Sequence, residues 1–221
     1  MTLARWVSGP VAPTRALAAQ WAVLWVLVVL GVGIALYGGA RLLVAPRLPD
    51  VGTVPAAHPT VVESSGVATL DSAVQPTWLS LPEQGVEAPV VAVGMAPSGE
   101  LTVPDDPKVL GWWRDGVRPG APRGTVVIDG HVDTREVGAG ALYRLGELKP
   151  GSTVSLATTA GTQTYLVRAV HSYPKAQLPK DLFDTTGVPR LVLITCGGSF
   201  NFETHQYSDN IVAYAVPAGA A

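Results

Sequence analysis

The chain contains one cysteine, Cys196, and it stands where an apolar run ends. Leu191-Val192-Leu193-Ile194-Thr195 reads as a buried strand, and Gly197-Gly198 follow the thiol directly. Glycines there let backbone approach the sulfur closely and leave N–H groups free to face an oxyanion. A cysteine closing a core strand also serves as a small inert hydrophobe, so chemistry at this position requires a partner. A second apolar run, Thr125-Val126-Val127-Ile128, leads through Asp129 and Gly130 to His131, Val132 and Asp133. Thiolate is the nucleophilic form and a free cysteine has a pKa of about 8.5, so an imidazolium brought beside it from a neighbouring strand end populates thiolate at neutral pH. The same group can then return a proton to a leaving amine. Cys196 and His131 together therefore suit acyl transfer.

The remaining polar residues carry weaker signals. Asp133 either orients His131 through a hydrogen bond or forms the turn after a strand. Asp129 shares the side of His131 if the strand runs that far. His205 follows Cys196 closely enough to act as a second base, His171 closes a strand, and His58 has no visible partner. No two of these histidines fall at a zinc-ligand spacing with Cys196, and isolated pairs such as Asp105-Asp106 usually cap turns, so no metal is expected. Glycine-rich phosphate loops and a Gly-x-Ser-x-Gly elbow are absent, and no cofactor is expected.

These side chains need a scaffold. Short β-branched runs recur at Pro89–Val93, Thr125–Ile128, Thr153–Ala157, Thr164–His171, Arg190–Thr195 and Asn210–Val216, separated by Gly, Pro and Asp clusters. Only Leu142–Leu148 suggests a turn or two of helix. Many short strands without a covering helix layer predict a closed or nearly closed β-barrel, because closure removes exposed edges.

The chain is 48% hydrophobic and only 14% charged, and much of that excess lies in one block. Ala16–Ala40 is 25 residues without a charge, bounded by Arg15 and Arg41, with Trp21, Trp25 and Tyr37 near its ends. About 20 apolar residues span a bilayer as helix, so this block is expected to be an uncleaved transmembrane anchor. Residues 1–15 form a short cytoplasmic N-terminus. Residues 41–76, with Pro46, Pro49, Pro55, Pro59 and Pro76, form an extended stalk, and residues 77–217 form the catalytic domain. That arrangement predicts a single-pass plasma-membrane protein with its domain outside the cytoplasm. The net charge of −2 gives no reason to expect a nucleic-acid partner.

Val192-Leu193-Ile194-Thr195-Cys196 resembles the Thr-Leu-x-Thr-Cys signature of the sortase family, and Gly130-His131-Val132-Asp133 resembles its histidine motif. The likeness is greatest to the actinobacterial class F, through Val103-Pro104-Asp105-Asp106-Pro107, Gly111-Trp112-Trp113 and Cys196-Gly197-Gly198-x-Phe200. It covers nearly all of 77–216. The resemblance implies an all-β fold, an eight-stranded sortase-type β-barrel with short helices. It also implies a cysteine transpeptidase that cleaves C-terminal sorting-signal peptides of the Leu-Pro-x-Thr-Gly type through a thioacyl intermediate, with Cys196 as nucleophile and His131 as proton partner. A cell-wall precursor amine then accepts the acyl group.

One departure stands out. The arginine that completes the family's triad belongs in a Tyr-Arg-Asp-Asn segment, which here reads Tyr207-Ser208-Asp209-Asn210. Ser208 can donate a hydrogen bond but carries no charge, and losing one oxyanion donor typically costs about 100- to 1000-fold in turnover. Arg135, four residues after His131, is the leading spatial substitute, ahead of Arg114, Arg118 and Arg144. Two rivals follow. An L,D-transpeptidase would carry its histidine just before a Ser-x-Gly-Cys signature, whereas here it lies 65 residues upstream (196 − 131). A degenerate sortase fold could instead serve as a tethered binding domain. Residues 139–148 and 173–189 are the expected walls of a substrate groove.

Overall fold

The computed structural model describes residues 48–55 and 74–219, together with Trp25, Val28 and Val29 of a separate N-terminal unit. Apart from those three residues, the expected span at 16–40 lies outside the described residues, as do the N-terminus before it and His58. Among the described residues no helix is long and apolar enough to cross a membrane.

Among the described residues there are eleven strands: β1 Asp50–Gly52, β2 Pro76–Leu81, β3 Val86–Val93, β4 Leu110–Trp113, β5 Thr125–Asp129, β6 Asp133–Thr134, β7 Gly138–Ala139, β8 Thr153–Thr158, β9 Gly161–Pro174, β10 Arg190–Asn201 and β11 Gln206–Pro217. Eight of them close on themselves in the order β9-β11-β10-β5-β4-β3-β2-β8, with β8 pairing back onto β9. The expected barrel is therefore closed. β1 adds to the outer edge of β9, so this part of the segment read as a stalk is a strand of the sheet. β6 and β7 form a separate small hairpin. Helical structure in 74–219 is limited to single 3-10 turns, including Leu145–Glu147 where a helical turn was expected.

All eight barrel strands contribute to one buried cluster that includes Leu79, Val90, Trp112, Ile128, Leu156, Val167, Leu193 and Ala213. Side chains alternate across a strand, so the intervening residues face outward. On β5, β10 and β11 these are also apolar: Val127, Val192, Ile194, Val212 and Tyr214 form a second cluster covered by Leu178, Leu182 and Phe183 from the connection between β9 and β10. β10 is thus buried on both faces, which explains its unbroken apolar run.

The start of β10 is fixed by Arg190, which is 1% exposed. Its Nε donates to Thr125 Oγ1 at 2.9 Å, Nη1 to the Pro55 carbonyl at 3.3 Å and Nη2 to the Asp181 carboxylate at 3.0 Å. The guanidinium also lies 5.7 Å from the Tyr214 ring centre. One buried cation joins β5, the segment after β1 and the outer covering turn.

Asp129 ends β5 in a different state. It is 6% exposed and its Oδ1 has no hydrogen-bond partner. Burial pushes its pKa up from 3.8 to about 7. Between those values the native chain holds a proton that the unfolded chain releases, so this group's stabilisation is complete below about pH 4 and is lost as pH rises through 7. A displacement of about three pH units corresponds to something on the order of 4 kcal/mol. Asp129→Asn is expected to unfold at a higher temperature than the wild type at about pH 8 and at a similar temperature near pH 4. Thermal unfolding across that range checks this, and parallel profiles for the two proteins would overturn the assignment.

Candidate active site

β5 and β10 run parallel, paired from Thr125 with Arg190 to Asp129 with Ile194, a constant offset of 65 residues (190 − 125, 194 − 129). The same offset separates His131 from Cys196. Two hydrogen bonds carry the pairing one step beyond the last ladder pair. Gly130 N–H donates to the Ile194 carbonyl at 3.1 Å, and Thr195 Oγ1 donates to the Gly130 carbonyl at 2.8 Å. Both backbone groups of the residue before His131 are therefore bound to the strand that carries the thiol. Adjacent strands lie about 4.8 Å apart, and alternation sends His131 and Cys196 to the same outer face as Val127 and Ile194.

Both residues line one open cavity of about 840 Å³. One wall is the continuous stretch His131–Glu136, and the other is the β10–β11 hairpin through Phe200, Phe202, His205, Gln206 and Tyr207. Lys175 also lines the cavity. Of the expected walls, residues 173–189 contribute that lysine and residues 139–148 contribute nothing; the walls are the two loops next to the chemical residues themselves. His131 is held from behind by Gly140, whose N–H donates to the Val132 carbonyl at 2.8 Å. A Cβ at Gly140 would lie 2.1 Å from the His131 carbonyl oxygen, so only glycine permits this approach.

The two walls are tied together. Tyr207 Oη donates to Asp133 Oδ2 at 2.7 Å. Desolvation, then the Asp133 hydrogen bond and charge, push the Tyr207 pKa up to about 12, so the phenol keeps its proton and its donor role. The recorded partner of Asp133 is thus Tyr207, across the cavity. Tyr207 also packs edge-on against Phe200 at 5.0 Å, and Phe200 against Phe202 at 5.2 Å. Phe202 is 79% exposed, giving the hairpin an aromatic rim.

Ser208 does not line the cavity. Its hydroxyl accepts from Ser199 N–H at 3.0 Å and donates to Asp209 Oδ2 at 2.5 Å. The register between β10 and β11 shifts between Gly197 and Phe200, and Gly198 within that bulge has φ +78°, with an added Cβ only 2.0 Å from Asp209 Oδ2. Ser208 therefore serves the hairpin. Arg135 does line the cavity, whereas Arg114 lies 3.9 Å from Asp115, Arg118 packs 5.4 Å from the Trp112 ring centre and Arg144 pairs with Glu147 at 2.6 Å. Thr195 is buried beneath the cavity and positions rather than lines it. His171 binds Asp50 of β1, away from the thiol.

Tyr207 and Phe200 lay inside motifs visible in the sequence, without a role there. Lys175 fell within the expected wall 173–189 but was not singled out there. Among the described residues no group of three or more His, Cys, Asp or Glu side chains could hold a metal ion.

A thiol and an imidazole thus stand at the ends of two paired parallel strands and line one open cavity. The family model described as "Sortase domain" matches residues 79–218, from β2 to the end of β11. The chain belongs to the sortase family. Similar solved structures are the pilus-related sortase C of Group B Streptococcus (18% identity, TM-score 0.50, 64% of this chain and 66% of that one), sortase C1 of Streptococcus agalactiae (16%, 0.50, 66% and 68%) and sortase C-1 of Actinomyces oris (17%, 0.51, 68% and 77%). At such identities the likeness concerns the fold, and the chain spans about two thirds of the two streptococcal chains. A comparison with curated protein sequences found no match.

The tether beneath this sortase's cavity gives a direct test. Thr195→Val keeps the volume but leaves the Gly130 carbonyl without its partner, which costs about 1–3 kcal/mol. Denaturant unfolding is expected to show that loss, accompanied by slower alkylation of Cys196 at neutral pH as His131 loosens. Unchanged stability and thiol reactivity would remove Thr195 from the positioning role.

Proposed function

We propose that this sortase is a membrane-anchored, extracytoplasmic cysteine transpeptidase acting on C-terminal sorting-signal peptides of the Leu-Pro-x-Thr-Gly type. Residues 16–40 anchor it, with 1–15 on the cytoplasmic side and the region from 41 onward outside. The observation that carries the reading is the shared 65-residue offset of the β5–β10 ladder and the Cys196–His131 pair. Cys196 as thiolate attacks the threonine carbonyl, forming an S–C bond as the C=O electron pair moves to oxygen. That pair returns, the C–N bond breaks, and His131 gives its proton to the departing amine. A cell-wall precursor amine then attacks the thioester carbonyl and gives a proton to His131, and the C–S bond breaks as the new C–N bond is kept, which restores the Cys196 thiolate beside the protonated imidazole.

Support for a class F-like grouping comes from Val103–Pro107, Gly111–Trp113 and Cys196-Gly197-Gly198-x-Phe200, since the solved structures named above are class C enzymes. The rival reading, a sortase-fold binding domain without turnover, draws on Ser208, whose hydroxyl is already committed within its hairpin.

Incubation with sorting-signal peptides and intact-mass measurement separates the two. The wild type is expected to gain the mass of the acyl fragment at Cys196, Cys196→Ala to gain none, and His131→Ala to acylate at least about 100-fold more slowly. A folded wild type that stays unmodified across several signal variants would favour the binding domain. Ser208→Arg is expected to raise the acylation rate, since it returns a charged donor to the strand beside the thiol; an equal or lower rate would show that position 208 does not limit turnover.

A further inference from the structure

The tetrahedral adduct at Cys196 places a negative charge on the former carbonyl oxygen, and fixed positive groups aimed at that oxygen lower its energy most. The leaving amine must face His131, on the β5 side of the thiol, because the proton comes from there. The oxyanion occupies another vertex and turns toward the opposite neighbour, β11. There Ser208 is neutral, and both of its recorded hydrogen bonds stay within the hairpin.

The strand beyond β11 supplies what Ser208 does not. Cys196 pairs with Asn210, and Asn210 pairs with Tyr173, so these three residues form one row across β10, β11 and β9. The β9–β11 ladder ends with Pro174 opposite Asp209, and Lys175 follows at once as the first residue of the 3-10 helix Lys175–Gln177, which packs on β11. Lys175 faces the same cavity as Cys196 and His131. Among the described residues it forms no ion pair, and its flexible four-carbon stem can carry the ammonium over the small side chain at 208. Arg135, the other cation of the cavity with no ion pair among the described residues, belongs to the loop that follows His131 and so to the β5 side of the thiol.

Resting on the acyl-transfer reading above, we propose that Lys175 supplies the positive charge that stabilises the oxyanion at Cys196, from the strand next to the neutral Ser208. Its ammonium donates hydrogen bonds to the oxyanion and exchanges no proton. A serine at 208 and a lysine at 175 are then a matched pair, the first keeping the path clear for the second.

The test uses the detergent-solubilised full chain with a sorting-signal peptide. Lys175→Gln is expected to lower the acylation rate by about 100-fold with little change in KM, and Lys175→Arg to keep most of the rate. Ser208→Arg in the Lys175→Gln background is expected to restore more activity than Ser208→Arg alone adds to the wild type. A second readout needs no peptide. The ratio of Cys196 alkylation rates with anionic iodoacetate and neutral iodoacetamide is expected to fall several-fold in Lys175→Gln, and less in Arg135→Gln, because only a cation beside the thiol favours the anionic reagent. Normal acylation by Lys175→Gln, or a larger effect from Arg135→Gln in both assays, would overturn the inference. A wild type that never acylates would instead sink the parent reading, and the alkylation ratio would still decide whether the charge at 175 reaches the sulfur.

Discussion

The site exists because β5 and β10 run parallel without a bulge as far as Gly130 and Thr195. A parallel pair has no tight turn to set its register, and here some sixty residues intervene. Register is fixed instead by burial on both faces of β10. A slip of one residue would turn Leu191 and Leu193 out of the barrel and Val192 and Ile194 into it. The same slip would separate the thiol from the imidazole. Arg190 guards the other end of the ladder, since its donor to Thr125 Oγ1 has the correct reach only when those residues are paired. Packing, more than any bond between Cys196 and His131, brings these two side chains to one cavity.

Much of this was legible as pattern. The six β-branched runs all lie within strands of the barrel, because β-branched residues flanked by Gly and Pro are what a pleated, buried surface selects. β2 and β4 escaped notice for physical reasons. Pro76-Thr-Trp-Leu-Ser-Leu begins at the edge of a proline-rich tract that reads as linker. Leu110-Gly-Trp-Trp is short, and its glycine lacks a Cβ because Asp129 Oδ1 would lie 2.5 Å from one. β1 was hidden among the prolines as well, since its three exposed residues carry no apolar signal and its strand state comes entirely from pairing with β9.

Cys196 and His131 stood out from local features, each closely following an apolar run and lying next to glycine. The remainder of the site depends on which loops meet, and that was not readable. The Asp133–Tyr207 hydrogen bond joins residues 74 apart, and Lys175 reaches the cavity only because β9 ends beside β11. Position 208 shows the limit of motif reasoning most clearly. Read along the chain, a serine in place of an arginine is a loss. Seen in the sheet, Ser208 is bound within its own hairpin, and the next strand over ends just before a lysine that lines the cavity.

The layer below the thiol extends this argument to the N-terminal segment. One row runs across five strands on the outer face: Asp129, Ile194, Val212, His171 and Asp50. Its centre is apolar and sealed by Leu182 and Phe183, with Phe183 set edge-on to Trp113 at 5.3 Å. Its far end is closed by the His171–Asp50 hydrogen bond, and Val54 packs on the same cluster. Residues 48–55 are therefore part of the floor on which Cys196 rests, and not merely a spacer that holds the barrel away from what precedes it. A nucleophile at a strand end can be no better positioned than the row beneath it. By covering that row, the segment 48–55 takes a share in positioning the strand end that carries Cys196.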